Sequence, residues 1–345
     1  MKVIHLLYSD SFSGAENVVC QIISMFRDDE NVEMMYCSRD GKIREALEAR
    51  NVKFIPLKRL TVRAVKKVIK LYKPDVIHAH DVLAGVIAAL ACGKTKLISH
   101  MHNNPVASRG PSVISIAYLF AGAKAKRIFW VSNSSYEGYF FHRFFADKSK
   151  VLYNIIDVEA LYQKMYLDNA AYNYDVVYLG RLEYQKNPQR LLNVFSKVVE
   201  LNPNIKMAIV GTGNLEEELR EMCEKMNLQN NVDFLGFQSN PLKILHDAKV
   251  MVMTSRWEGT PMAALEALAL GVPIVSTPVD GLKDLISNDV NGYVFDDDGE
   301  LSKSIVDICN SHELHERLSS NSVSGSKRYN DVGSYREKIK NSYIC

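Results

Sequence analysis

The sequence lacks a disulfide or zinc framework. Its six cysteines, Cys20, Cys37, Cys92, Cys223, Cys309 and Cys345, are scattered and form no CxxC pair. That usage fits reduced thiols in a cytoplasmic protein. It also lacks any run of 18 apolar residues, so no segment reads as a membrane-spanning helix. The opening MKVIHLLYSD carries one lysine and a short apolar run; it reads as a first strand, without a signal-cleavage pattern. Net charge is nearly absent, +2 from 42 basic and 40 acidic residues, which argues against a nucleic-acid binder. Repeats and low-complexity tracts are missing as well. What is present is core-forming material. Hydrophobic residues make up 47% of 345 positions, enough for one large domain or two of ordinary size.

Short β-branched runs alternate with amphipathic stretches. KVIHLLY, VEMMYCS, KFIPL, DVIHAH, KLISHMH, RIFWVS and KVLYNII read as strands, separated by helical patterns such as AENVVCQIISMF. The cycle pauses over Asp157 to Tyr174, which is polar and tyrosine-rich, then resumes with DVVYLG, IKMAIVG, VDFLG, KVMVMTS and PIVST. Strand–helix alternation implies parallel sheets covered on both faces. Two such series imply two Rossmann-like domains. The expected division is 1–165 and 166–325, with a final helix, 326–345, packing back on the first domain. Ligands of open parallel sheets bind beyond the carboxyl ends of the strands, and the motifs fall there.

In VVYLGRLEYQKNPQRLL, Arg181 and Lys186 share one strand-to-helix loop. Two cations near a helix N-terminus suit a diphosphate, although a solvated basic loop would look the same. IVGTGNLEEELRE has Gly211 and Gly213 but glutamate at position 216; it is a weak dinucleotide fingerprint and reads better as a glycine turn. SRWEGTPMAALEALALG places Glu258 in a loop, Pro261 at a first helical turn and Glu266 inside the helix. Small residues around Gly259 and Thr260 leave room for a ligand, and a carboxylate pair so placed can accept hydrogen bonds from vicinal hydroxyls. The plainer alternative is one acid favoured by the helix dipole and one on the surface.

EGTPMAALE, with seven residues between its glutamates, resembles the signature of retaining glycosyltransferases of family 4, which have the GT-B fold. GRLEYQKN is similar to the Gly-Arg-Leu-x-x-x-Lys motif of that family. SFSGAENVV resembles its N-terminal Gly-Gly-Ala-Glu loop, with Ser13 in place of the first glycine; VLYNIID resembles its junction segment, with Ile155 for a glycine. The resemblance implies an α/β protein with two Rossmann-like domains facing each other across a cleft. It implies that Glu258 contacts hydroxyls of the transferred sugar and that Glu266 holds the ribose. Arg181 and Lys186 would neutralise the diphosphate. Backbone amides around Gly14 and from Gly259 through Thr260 and Pro261 to Met262 would complete the clamp. The donor would be a nucleotide-diphosphate sugar of UDP or GDP type, with no separate cofactor and no metal.

Two histidine pairs, His78/His80 and His100/His102, could each chelate from one strand face, but no acid or cysteine has the spacing of a zinc site. By resemblance His102 lies near the donor sugar and acceptor, and His80 at the cleft mouth; His78 and His100 read as structural. The Asp296–Asp298 triplet reads as a solvated turn. Residues 42–73 hold 11 Lys/Arg against 2 Glu, and Leu57 to Lys73 resembles a basic amphipathic helix. Such a face can hold anionic headgroups, or be merely solvated. YEGYFFHRFF is rich in aromatics, for a membrane surface or for core packing. The expected activity is transfer of a sugar to a hydroxyl of a glycan or lipid-linked bacterial acceptor, by a cytoplasmic enzyme that can sit peripherally on an anionic membrane. The rivals are a sugar-nucleotide 2-epimerase and a non-catalytic glycan-binding scaffold.

Overall fold

A computed structural model describes residues 1–103 and 106–344. The chain divides into two units, Met1–Asn154 with Val332–Cys345, and Ile155–Asp331. Cys345 itself lies outside the described residues. The other five cysteines are free thiols.

The first unit holds seven strands: β1 (Lys2–Leu6), β2 (Glu33–Arg39), β3 (Phe54–Leu57), β4 (Val76–His80), β5 (Lys96–Met101), β6 (Arg127–Trp130) and β7 (Ser149–Val151). They form one parallel sheet in the order β3-β2-β1-β4-β5-β6-β7. The second unit holds β8 (Val176–Leu179), β9 (Met207–Val210), β10 (Val232–Gly236), β11 (Val250–Met253), β12 (Ile274–Ser276) and β13 (Gly292–Val294). Its parallel order is β10-β9-β8-β11-β12-β13. β13 falls in NGYVF, a run of three residues too short to stand out in the sequence.

Parallel strands are joined by crossover helices, which cover both faces, so the strands themselves are buried and mostly apolar. β11, VMVM, is buried at every position. In both sheets the order turns back at one place, between β1 and β4 and between β8 and β11. A crevice opens there because the neighbouring crossovers leave on opposite faces. The loops and helices that follow these four strands carry every expected site residue except His102, which follows β5.

The division of the chain differs from the expected one at residue 165. Helix Val158–Met165 belongs to the second unit. The Ile156 N–H donates to the Tyr329 carbonyl at 2.8 Å, the Val158 N–H to Asn330 Oδ1 at 3.1 Å, and the Tyr162 hydroxyl to the Ala269 carbonyl at 3.3 Å. The chain returns to the first unit at Val332, not 326. Helix Val332–Ile344 is fastened there by Arg336 and Lys340, at 3.0 and 2.7 Å from Asp29.

Candidate active site

In the second unit β8 runs into Gly180, Arg181 and Leu182, then a short 3-10 turn, Tyr184–Lys186. Asn187 follows with φ 52°, and helix Pro188–Leu201 begins. Asparagine tolerates the left-handed conformation better than most residues, and proline suits the first helical position, whose N–H would be unpaired anyway. The neighbouring glycine turn is pressed against this loop. Gly211 has φ +136°, and a Cβ there would sit 2.0 Å from the Gly180 carbonyl oxygen. The glycine therefore serves loop packing, in line with the plainer reading of that motif.

β11 runs into Thr254, Ser255, Arg256, Trp257 and Glu258, and helix Met262–Ala269 starts after Pro261. Pro261 precedes the helix at its N-cap position, one residue earlier than expected. Gly259, Thr260, Pro261 and Met262 are all buried. A Cβ on Gly281 would lie 1.7 Å from the Gly259 carbonyl oxygen, so the backbone of this loop rests directly on the next one.

The two loops join at Lys186 and Glu258. Lys186 Nζ lies 2.5 Å from Glu258 Oε1, and the side chains are only 16% and 6% exposed. The Ser255 hydroxyl donates to the same oxygen at 2.6 Å. Oε2 of Glu258 has no hydrogen-bond partner among the described residues, so one carboxylate oxygen is neutralised and the other is left to accept. Arg181 lies apart from this pair. It is exposed and ion-paired with Glu183 at 2.7 Å. The two cations of the motif thus share a loop but not a partner.

Arg256 is a third cation, which the motif reading passed over. Its guanidinium lies 4.3 Å over the Tyr184 ring and donates to Asn187 Oδ1 at 2.8 Å and to the Tyr184 carbonyl at 3.1 Å. It ties the β11 loop to the β8 loop. Its position immediately after a strand run was the signal that could have found it.

Glu266 keeps a partial opening to solvent, while its carboxyl is set deep among protein atoms. That burial raises its pKa, and the Lys164 ammonium opposes the rise. No described residue hydrogen-bonds its side chain. Asp296–Asp298 is a helix start: Asp297 caps helix Asp298–Asn310, and Arg190 lies 3.0 and 2.7 Å from Asp296 and Asp298.

In the first unit helix Gly14–Met25 starts just after β1. The Ser13 hydroxyl donates to Glu16 Oε2 at 2.5 Å instead of being used as a backbone cap. A Cβ on Gly14 would meet nothing within 4 Å, so no packing contact among the described residues requires glycine there. His102 is buried, and burial holds its pKa down at about 3. The ring is therefore neutral at physiological pH.

Asp81, directly after β4, is a residue the motifs did not flag. Its backbone has φ 68°. Burial, then the nearby Glu16, carries its pKa up to about 7, against the pull of the His102 backbone N–H. Oδ1 of Asp81 has no partner among the described residues. Strain and a perturbed carboxyl together mark a crevice position.

Among the described residues, the side chains that cluster closely enough to hold a cation are histidines. One nitrogen from each of His5, His78 and His80, and likewise of His80, His100 and His102, lies within 4.8 Å of the others. The rings, however, are stacked, at 4.4 Å for His78/His80 and 4.3 Å for His100/His102. Lone pairs lie in the ring planes, so stacked rings point them side by side rather than at one centre.

Family models match both units: Glycosyltransferase Family 4 over residues 12–160, and Glycosyl transferases group 1 over residues 169–324. An uncharacterized glycosyltransferase of Methanocaldococcus jannaschii is 32% identical over 236 residues, 62% of this chain and 58% of that one. The chain thus spans somewhat more than half the length of that relative. The UDP-Gal:alpha-D-GlcNAc-diphosphoundecaprenol alpha-1,3-galactosyltransferase of Escherichia coli is 24% identical over 326 residues, 86% of this chain and 84% of that one. Among solved structures, Anabaena HepE with UDP-glucose superposes with a TM-score of 0.85 at 21% identity, over 99% of both chains; this likeness concerns the fold.

Proposed function

The chain belongs to the family 4, group 1 glycosyltransferases, and from that premise we propose that it moves a sugar, with retention, from a nucleotide-diphosphate donor to a hydroxyl acceptor. The observation that carries this reading is the Lys186–Glu258 pair at the β8/β11 crevice. A cation and a half-satisfied carboxylate stand side by side, as a sugar diphosphate requires.

In this reading the diphosphate lies along the β8 loop, where Lys186 and Arg181 meet its charge. The helix that starts at Met262 offers free N–H groups beside them. Oε2 of Glu258 accepts from a sugar hydroxyl. Glu266 holds the ribose, and its raised pKa eases proton sharing with a hydroxyl. As the bond from the anomeric carbon to the β-phosphate oxygen breaks, its electron pair leaves with the nucleotide diphosphate. The acceptor oxygen bonds to the same carbon, and its proton passes to the departing phosphate. Double displacement needs a carboxylate free to attack. In this reading both oxygens of Glu258 are engaged, Oε1 by Lys186 and Ser255 and Oε2 by the sugar hydroxyl, which favours attack from the same face. Neutral His102 positions the sugar or the acceptor. Because Lys186 and Arg181 supply the positive charge, turnover should persist in EDTA.

A lipid-linked acceptor is supported by the E. coli relative, whose substrate carries diphosphoundecaprenol. The first unit also offers an anionic membrane two features. Helix Val62–Tyr72 exposes Arg63, Lys66, Lys67 and Lys70 while burying only Val65 and Val68. Phe140 and Phe144 are exposed at 48% and 71%, beside Tyr139 and Phe145, which are core.

The test is incubation of UDP- and GDP-sugars with a lipid-diphosphate-linked sugar, followed by NMR of the product. A new linkage with the donor's anomeric configuration is expected. Inversion overturns retention, and an epimerised donor formed without acceptor overturns transfer. Lys186→Ala and Glu258→Ala should each lower kcat/KM by an amount equivalent to about 2–4 kcal/mol.

A further inference from the structure

Five of the nine histidines in the chain lie on one face of the first sheet. His5 of β1 pairs in register with His78 of β4, and His80 with His100 of β5. Parallel register partners and i, i+2 neighbours share a face, so these four and His102 form a single patch. All five are buried. Within it three rings are linked edge to edge. His5 Nδ1 lies 3.0 Å from His80 Nε2, and His80 Nδ1 lies 2.8 Å from His102 Nε2. His78 is outside this chain of bonds: its Nδ1 meets the Tyr343 hydroxyl at 2.7 Å. His100 has no partner at either nitrogen among the described residues.

A neutral imidazole has one N–H donor and one lone-pair acceptor. Two links across three such rings leave two arrangements that satisfy both. If His102 carries its proton on Nε2, it donates to Nδ1 of His80; His80 must then carry its own on Nε2 and donate to Nδ1 of His5, whose proton is on Nε2. The reverse arrangement puts all three protons on Nδ1. A mixed set turns at least one link into two facing donors or two facing lone pairs, which burial makes costly.

We propose that His5 and His80 are positioning residues that set the tautomer of His102 through one hydrogen-bonded chain, and thereby decide whether His102 Nδ1 donates or accepts. Nδ1 is the free end of the chain: it is buried and has no partner among the described residues. A sugar hydroxyl can either donate or accept, so the tautomer selects which hydroxyl geometry is held. That use rests on the glycosyl-transfer reading; the chain itself does not. His5 makes no hydrogen bond to His102, so its influence has to travel through His80.

Long-range nitrogen–proton NMR of protein labelled with 15N-histidine reads each tautomer directly. In the unliganded wild type, His5, His80 and His102 should show one common tautomer. His5→Gln and His5→Phe should shift the His102 nitrogen resonances. His78→Phe removes a ring stacked on His80 but outside the chain of bonds, and should leave the tautomer of His102 unchanged. A mixed set of tautomers in the wild type overturns the proposal. So does a His102 signal that ignores both His5 variants. Resonances that move on EDTA treatment, or that respond to stoichiometric Zn(II), overturn it in favour of a metal site. If the His5 variants shift His102 while sugar transfer keeps its wild-type kcat, the chain stands and the place of His102 in transfer falls.

Discussion

Acid should loosen the first unit before the second, and buried histidine is the reason. Burial holds His5 and His102 at about 3, against an ordinary 6.5, and holds His78, His80 and His100 low in the same sense. The unfolded chain therefore binds protons that the folded one refuses. A depressed histidine pKa gives stability that is present above 6.5 and lost as pH falls toward the folded value. From pH 7.5 to pH 5, each of His5 and His102 loses about 2 kcal/mol at 1.36 kcal/mol per unit of pH, together about 4 kcal/mol. Asp81 works the other way. Its pKa is raised from 3.8 to about 7, so its contribution is fully present below 3.8 and lost as pH rises through 7. Acidification over the same window returns about 2–3 kcal/mol through it. The balance, before the other three histidines add to the loss, is about 1–2 kcal/mol against the folded first unit at pH 5. Denaturant-dependent hydrogen exchange, corrected for intrinsic rates, reads this in peptides from β1, β4 and β5, with β8 and β11 as internal reference. Asp81→Asn should steepen the acid loss, because the opposing group is gone. A first unit as stable at pH 5 as at pH 7.5, or an Asp81→Asn protein with a shallower slope than wild type, would refute the reasoning.

Three other outcomes follow from the geometry. Removing one member of the Lys186–Glu258 pair strands a buried charge, so Lys186→Met or Glu258→Gln should each destabilise the second unit by about 3–5 kcal/mol for a retained charge; the double variant should recover much of that, and additive losses in a urea-unfolding cycle would contradict the coupling. Gly281→Ala should be poorly tolerated, since its Cβ would overlap the Gly259 carbonyl oxygen; an unchanged melting temperature and unchanged UDP-sugar binding would show that the loops can part freely. Replacing Lys66, Lys67 and Lys70 by Glu should weaken co-sedimentation with anionic vesicles, at about 1 kcal/mol per lysine lost near the surface, and high salt should mimic it; binding indifferent to both changes would remove the membrane from the proposal.

The sequence by itself determined the strand–helix alternation, the presence of two Rossmann-like series, the loops in which Arg181, Lys186 and Glu258 lie, and the helix that carries Glu266. These are local properties: a buried parallel strand is mostly apolar, and the loop after it is where polar residues can gather. Only the tertiary structure decided what those residues touch. Lys186 and Glu258 are 72 positions apart, and they meet because β8 and β11 are sheet neighbours; Arg181, five residues from Lys186, turns outward to Glu183 instead. Four of the five histidines were legible as two pairs, and His5 stood unremarked within the first strand run. Their union needed the strand order β1-β4-β5, because no local pattern reveals which strands lie side by side. The same holds for Asp81, whose raised pKa comes from burial beside Glu16, 65 residues earlier in the sequence. Local chemistry chooses the elements and their ends; the sheet order, fixed by packing across the whole unit, chooses the partners.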